Sequence, residues 1–290
     1  MNTRKIHPST FHLPPYPKTG VAMPDPKSTN VHPTAVISPE AELGEGVTVG
    51  PFAVIEGPVT IGPECVIKAH AHLYGKVTMG RGNVVFSGAV IGEQPQHLRY
   101  GGEPTSVEIG DNNIFRENVT IHRGTSHSWL TKIGHHNFFM AGSHVAHDCQ
   151  IGNDCILANN ALVGGHCVLA DNVFLSGNSA LHQWVRVGRL AFLSGCSAST
   201  KDIPPFFVQQ GIDNVVGVNL IGMKRAGLQG DQIDGVKAAF RYLCRTQLTL
   251  PAAILRIETE LSHIDTVQEM LAFLHDCPKG INPMRSRRAA

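Results

Sequence analysis

Along most of this chain a large apolar residue returns at every sixth position. The series opens VHPTAV, ISPEAE, LGEGVT, VGPFAV, IEGPVT from Val31 and runs to Ile91. It resumes at Ile109, Phe115 and Ile121, then continues unbroken from Ile133 to Leu193. Both interruptions keep the phase, because 91 to 109 and 121 to 133 are multiples of six. A period of six matches neither an α-helix nor a simple alternating strand. It matches a solenoid of short strands joined by tight corners, a parallel β-helix. Four residues after each leader comes a second inward position, which is small at Ala35, Ala41, Ala53, Cys65, Cys149, Cys155, Ala161 and Cys167. One large and one small residue per side fill a narrow triangular prism without voids. Gly, Asn and Asp crowd the other positions, where sharp corners need left-handed backbone. Three hexapeptides make one coil of 18 residues, so residues 18 apart should stack at ~4.8 Å.

The places where the period fails divide the chain. Residues 1–30 carry Pro8, Pro14, Pro15, Pro17, Pro24 and Pro26 and read as a disordered tail. The coil is expected over 31–211, with residues 93–108 and 123–132 leaving it as loops, and loops on a rigid scaffold often carry function. From 212 to 277 the period becomes helical: Ile233, Val236, Phe240 and Leu243 share one face. Pro251 opens a further helix carrying Ile254, Ile257 and Leu261. Thr266 and Glu269 have capping-box spacing ahead of Met270, Leu271 and Leu274. Residues 278–290 form a basic tail with Arg285, Arg287 and Arg288.

Composition narrows the function. A net charge of +1 gives no bulk attraction to nucleic acid or membranes. No apolar run reaches membrane-spanning length, and the N-terminus lacks a signal-peptide core. The seven cysteines have no CxxC spacing, and four of them fall on the small inward position. They read as buried reduced thiols of a cytoplasmic protein.

The candidate chemistry lies in a histidine cluster. Of 16 histidines, His32, His70, His72, His135 and His136 occupy solvent-facing positions, whereas His144, His147, His166 and His182 gather in mid-chain. By the coil rule His147, Gly165 and Gln183 share one edge on successive coils, with His166 and His182 flanking that line and Asp148 following His147. A histidine, with its ordinary pKa of ~6.5, can take a proton at neutral pH. A neighbouring carboxylate would hold its tautomer, and the Gly165 N–H can stabilise an oxyanion. The pattern suggests general-base acyl transfer, although a solvated polar edge would look similar.

The stretch HVAHDCQIGNDCILANNALVGGH, with VTIHRGT before it and ALHQWVRVG after it, resembles the UDP-N-acetylglucosamine acyltransferases. IGEQPQHLRYGGEPT and GVNLIGMKRAG extend the resemblance from about Val31 to the helical C-terminus. It implies an all-β left-handed parallel β-helix with a small C-terminal α-helical domain, assembled as a homotrimer with sites between neighbouring coils. It implies the first step of lipid A synthesis: a 3-hydroxyacyl group passes from acyl carrier protein to the sugar's 3-hydroxyl. No cofactor or metal is called for, because the hydroxyl attacks the thioester directly. By resemblance His147 is the base, Asp148 its partner and Gly165 the oxyanion glycine. His144, His166, His182 and Gln183 line the acceptor and pantetheine cleft, and Asn219 and Arg225 contact nucleotide and donor. Gly195 stands at the position that limits acyl length in relatives, where a glycine leaves room for a long chain. Lys224, Arg225, Arg241 and Arg245 would receive the acidic carrier. Four positions depart from the family: His97 replaces an Asp at the sugar, Arg99 a Lys, Ile221 a Glu and Ala226 an Arg. These departures leave two other readings open, an acyltransferase for a 3-amino sugar nucleotide or other acceptor and a non-catalytic nucleotide-sugar binder, and the clustered histidines leave open a third, a zinc enzyme.

Overall fold

The structure, a computed structural model, describes residues 28–284. Nearly all of the Pro-rich tail and the three arginines of the basic tail lie outside that range. Short parallel strands wind into three sheets, which we call A, B and C. Sheet A has 11 strands, from Asn30–Val31 to Val215–Val218; sheet B has nine, from Val36–Ile37 to Ala198–Ser199; sheet C has eight, from Glu42–Leu43 to Arg186–Val187. Each coil contributes one strand to each sheet. The leaders point inward, and from Val49 to Leu193 none is more than 5% exposed. Val31 is 40% exposed, because it belongs to the first coil and has none beneath it.

Stacking follows the period of 18 below and above the loops: Val49 pairs with Ile67, and Val145 with Val163. Across the first loop Ile91 pairs with Ile121, and across the second Ile121 pairs with Val145. The offset is thus 30 residues (91 to 121), then 24 (121 to 145), so the rule of 18 does not cross the insertions. Both insertions are shorter than expected. Ser106–Ile109 and Leu130–Ile133 are strands of sheet C, which leaves 94–105 and 123–129 outside the coil.

One inward ladder is polar. Asn83, Asn113 and Asn137 are fully buried. The Asn113 N–H donates to Asn83 Oδ1 at 2.8 Å and the Asn137 N–H to Asn113 Oδ1 at 2.9 Å. Each amide thus satisfies corner N–H groups that no strand reaches, as buried polar groups require.

Helices begin later than position 212. Val215–Val218 first pairs antiparallel with Phe207–Gln209. Then follow α1 (Leu220–Arg225), α2 (Asp231–Cys244), α3 (Leu250–Leu261) and α4 (Asp265–His275). Ile233, Val236 and Phe240 of α2 are buried with Ile257 of α3 and Met270, Leu271 and Leu274 of α4. The expected capping box does not form. The Thr266 hydroxyl donates to Gln232 O at 2.9 Å, and Glu269 accepts a forked pair from Arg189 at 2.7–3.1 Å. Both side chains are spent on tertiary contacts, and the Glu269 pair ties α4 to the coil.

The three outer faces differ. Sheet A presents Ile114, Phe138, Ile156, Phe174 and Phe192, and sheet B presents Val36, Val54, Val90 and Leu162 together with the uncharged polar Thr120 and the imidazoles of His72 and His144. Sheet C presents Glu42, Glu108, Lys132, Gln150 and Arg186.

Candidate active site

The edge between sheets B and C carries the histidine cluster. Each coil turns this corner through a residue with left-handed backbone: Asp148 at φ 61°, His166 at φ 63° and Trp184 at φ 68°. Most such corners use Asn, Asp or Gly, which adopt that backbone readily. A His and a Trp there carry a backbone cost of the kind that accumulates at functional sites. Phe52 and Leu190 occupy corners elsewhere, so the signal is not specific.

His147 and Asp148 are 7% and 4% exposed. His147 Nδ1 lies 2.7 Å from Asp148 Oδ2. Asp148 also accepts the Thr125 N–H at 3.0 Å and hydroxyl at 2.7 Å, the Ser128 N–H at 3.2 Å, and the Ser128 hydroxyl. Burial alone would raise the Asp148 pKa, but the hydrogen bonds from His147, Ser128 and Thr125 outweigh it and hold the carboxyl well below the usual range. An ionised carboxylate only accepts, so Nδ1 of His147 carries a proton, and Nε2 is the ring nitrogen whose lone pair is free in the neutral ring. Thr131 fixes the corner from behind, its hydroxyl accepting the Asp148 N–H at 2.9 Å.

Gly165 lies one coil above. A Cβ there would stand 2.6 Å from Cε1 and 2.8 Å from Nε2 of His147, so only glycine admits the imidazole. Among the described residues the Gly165 N–H has no hydrogen-bond partner, although the residue is buried. Buried N–H groups without a partner are rare. A free lone pair and a free N–H donor therefore lie side by side.

Further imidazoles surround the base. The His97 ring is 5.1 Å from that of His147, and the His166 ring 5.0 Å. His166 stacks on Trp184 at 3.8 Å, and His127 meets both edge-on. His144 Nδ1 is 2.7 Å from the Thr120 hydroxyl. Burial pushes His122 and His166 down to about 4 and lowers His144 as well, so these rings are neutral at physiological pH. His182 and Gln183 are exposed, and Lys279 Nζ reaches Gln183 O at 2.8 Å. Cys149, next to the dyad, is fully buried and its thiol pKa is raised by desolvation, so it offers no nucleophile. His147, Asp148 and His166 bring potential metal-ligand atoms within 4.8 Å of one another. Both Asp148 oxygens already accept N–H or O–H donors, which a metal ion would have to displace.

The chain thus gathers His97, His144, His147, Asp148, Gly165, His166, His182 and Gln183 along one edge. Arg99 is exposed at the tip of the first loop. Three candidates lie elsewhere. Gly195 is exposed on the corner between sheets A and B, on the line of Gly177. Asn219 caps α1, with Oδ1 accepting the Gly222 N–H at 2.9 Å and Nδ2 donating to Leu190 O at 2.8 Å, which leaves one amide hydrogen and one lone pair. Arg225 is exposed in the last turn of α1. Thr125, Ser128, His127, Trp184 and Lys279 are site residues that sequence reasoning did not single out. Thr125 ends the VTIHRGT motif and Ser128 sits in the second loop, so their neighbourhood was marked while their role was not.

Residues 130–165 match the bacterial transferase hexapeptide model, and 202–282 match domain 2 of UDP N-acetylglucosamine O-acyltransferase. The acyl-[acyl-carrier-protein]–UDP-N-acetylglucosamine O-acyltransferase of Anaeromyxobacter sp. is 44% identical over 253 residues, covering 87% of this chain and 98% of the relative. The LpxA structure from Acinetobacter baumannii superposes with a TM-score of 0.85 at 37% identity, covering 88% of this chain and 99% of that one. LpxA from Bacteroides fragilis, a UDP-N-acetylglucosamine acyltransferase, gives 0.82 at 37% identity, covering 86% and 98%. The coil is the left-handed parallel β-helix of these enzymes. With its repeats, its helical domain and nearly the whole length of its relatives matched, the chain belongs to the acyl-[acyl-carrier-protein]–UDP-N-acetylglucosamine O-acyltransferase family.

Proposed function

We propose that this acyltransferase moves a 3-hydroxyacyl group from acyl carrier protein to the 3-hydroxyl of UDP-N-acetylglucosamine, the first step of lipid A synthesis. The observation that carries the mechanism is the His147–Asp148 dyad, with Nε2 free beside the unpaired Gly165 N–H. Nε2 takes the proton of the sugar hydroxyl as its oxygen attacks the thioester carbonyl. The tetrahedral oxyanion is held by the Gly165 N–H, and Asp148 stabilises the imidazolium. Collapse breaks the C–S bond, and the departing pantetheine sulfur receives the proton from His147. No enzyme-bound acyl group forms.

The outer faces support a homotrimer. Apolar faces A and B on one chain fit a ring in which each A face covers a neighbour's B face, while charged face C stays in water. Such a seam starts at the His147 edge and leads inward towards the corner that carries Gly195. It also brings one chain's α1, with Asn219 and Arg225, towards the base of the next. Exposed Lys224, Arg225, Arg241 and Arg245 supply positive charge for an acidic carrier. Among the described residues no helix is long and apolar enough to cross a membrane, and all seven cysteines are free, in keeping with a cytoplasmic enzyme.

A second reading concerns the acceptor. His97, an imidazole rather than an acid, stands over the base, and exposed Ile221 offers no charge. The 3-amino sugar nucleotide would then be acylated to an amide. The two acceptors, supplied separately with an acyl carrier donor, distinguish the readings. Alkali-labile ester product supports the first; amide formed at much higher kcat/KM establishes the second.

A further inference from the structure

We propose that Arg123 is a positioning residue that clamps the 94–105 loop to the coil and so sets where His97 stands over His147. The kinetic part of this claim rests on the reading that His97 faces the acceptor. Arg123 lies in the VTIHRGT stretch, just past the Thr120–His122 strand, and is only 8% exposed. Among the described residues no carboxylate lies within 4 Å of its guanidinium. A buried cation without an ion partner is costly unless other groups replace its water. Here they do. Nε donates to Tyr100 Oη at 3.0 Å and Nη1 donates to Gly92 O at 3.1 Å. The guanidinium carbon lies 5.2 Å from the Tyr74 ring centroid and 5.5 Å from that of Tyr100, within cation–π range. Gly75 makes the space, since a Cβ there would sit 2.7 Å from Nη1.

Tyr100 passes the constraint into the loop. Its hydroxyl donates to Glu103 O at 2.6 Å, and its N–H donates to His97 O at 3.0 Å. Glu103 in turn accepts the Gly101 N–H at 2.9 Å. One connected set of bonds therefore runs from the coil through Arg123 and Tyr100 to His97, whose ring is 5.1 Å from that of the base. Leu98, at the tip, is fully exposed, and Pro95 near the start of the loop is its buried apolar residue, so the tip itself is held by hydrogen bonds. Lysine cannot replace the arginine. A single ammonium lacks the planar fork that serves two divergent acceptors while stacking on a ring.

The test uses Tyr100→Phe, which removes only the hydroxyl, and Arg123→Lys, which keeps the charge. Amide hydrogen exchange over 94–105, measured on the protein alone, should quicken about tenfold in both variants while exchange in the coil stays unchanged. The acceptor KM should rise roughly tenfold, with kcat changed less than about threefold and the donor KM unchanged. Unaltered loop exchange in both variants would overturn the clamp. Faster exchange with an unchanged acceptor KM would overturn its role in placing His97. The exchange measurement needs no substrate, so it decides the clamp even if the wild-type protein fails to acylate UDP-N-acetylglucosamine, an outcome that would instead count against the proposed acceptor.

Discussion

A side chain on Gly165 and the imidazole of His147 cannot coexist, because a Cβ on the glycine would lie 2.6 Å from His147 Cε1. Gly165→Ala should therefore displace the base and cover the free N–H together. The neighbouring inward residues Val163 and Cys167 remain packed, so the fold should survive. We expect kcat to fall by about 10²-fold or more with an unchanged melting temperature. Activity within a few-fold of wild type would remove Gly165 from the site.

Asp148→Asn tests the dyad from the other side. The amide presents only one acceptor atom where five donors now converge, and its NH₂ would face groups that already donate. His147 would lose the partner that keeps its proton on Nδ1. A loss of about 10²–10⁴ in kcat, with binding of the nucleotide sugar retained, is expected. Equal losses in binding and turnover would point to simple collapse of the corner.

Stability should fall as the solution is acidified from about pH 6.5 towards 4. Burial holds His122 and His166 neutral down to about 4, while an unfolded imidazole titrates near ~6.5. Between those values the unfolded chain binds protons that the folded chain does not, so its population grows as pH drops. Asp148 acts in the same direction lower down, because its folded pKa lies below that of an unfolded carboxyl. Melting temperatures across pH 7.5 to 4.5 check this. A flat profile would contradict the burial of two neutral rings.

Gly195→Met addresses acyl length. A Cβ on Gly195 would meet only Gly177 O at 3.4 Å and Ser176 Oγ at 3.7 Å, so the substitution fits the coil without strain. Any change in activity then reports on the proposed groove between chains. The preferred donor should become shorter by several carbons, read from competition among carrier-bound acyl chains. An unchanged length profile would place the end of the groove elsewhere.

The period of six revealed most of the fold because the prism interior accepts one large and one small residue per side, and that demand is written locally. It also placed His147, Gly165 and Gln183 on one edge, since no insertion lies between them. The reading failed where tertiary contacts decide. Residues 106–108 and 130–132 read as loop in the sequence, whereas they extend the inward Ile109 and Ile133 into strands of sheet C. Thr266 and Glu269 carried a capping signature that Gln232 and Arg189 override. The grip of Thr125 and Ser128 on Asp148 spans a loop whose path no local rule fixes. The separation of Gly195 from the base follows from the same period, since it lies 12 residues, two sides of the prism, past Gln183, whereas the place of Asn219 was hidden because it lies beyond the last coil.

The account rests on His147 as a base that needs no covalent intermediate. The most direct measurement is the single-turnover rate of acyl transfer to UDP-N-acetylglucosamine, followed by mass spectrometry, for the wild-type protein and His147→Ala. We predict an acylated sugar nucleotide whose rate of formation drops by about 10²–10⁴ in the variant, with the oligomer intact and no acyl-enzyme mass at any time. An unchanged rate in His147→Ala, or a transient acyl adduct on the wild-type chain, would contradict it.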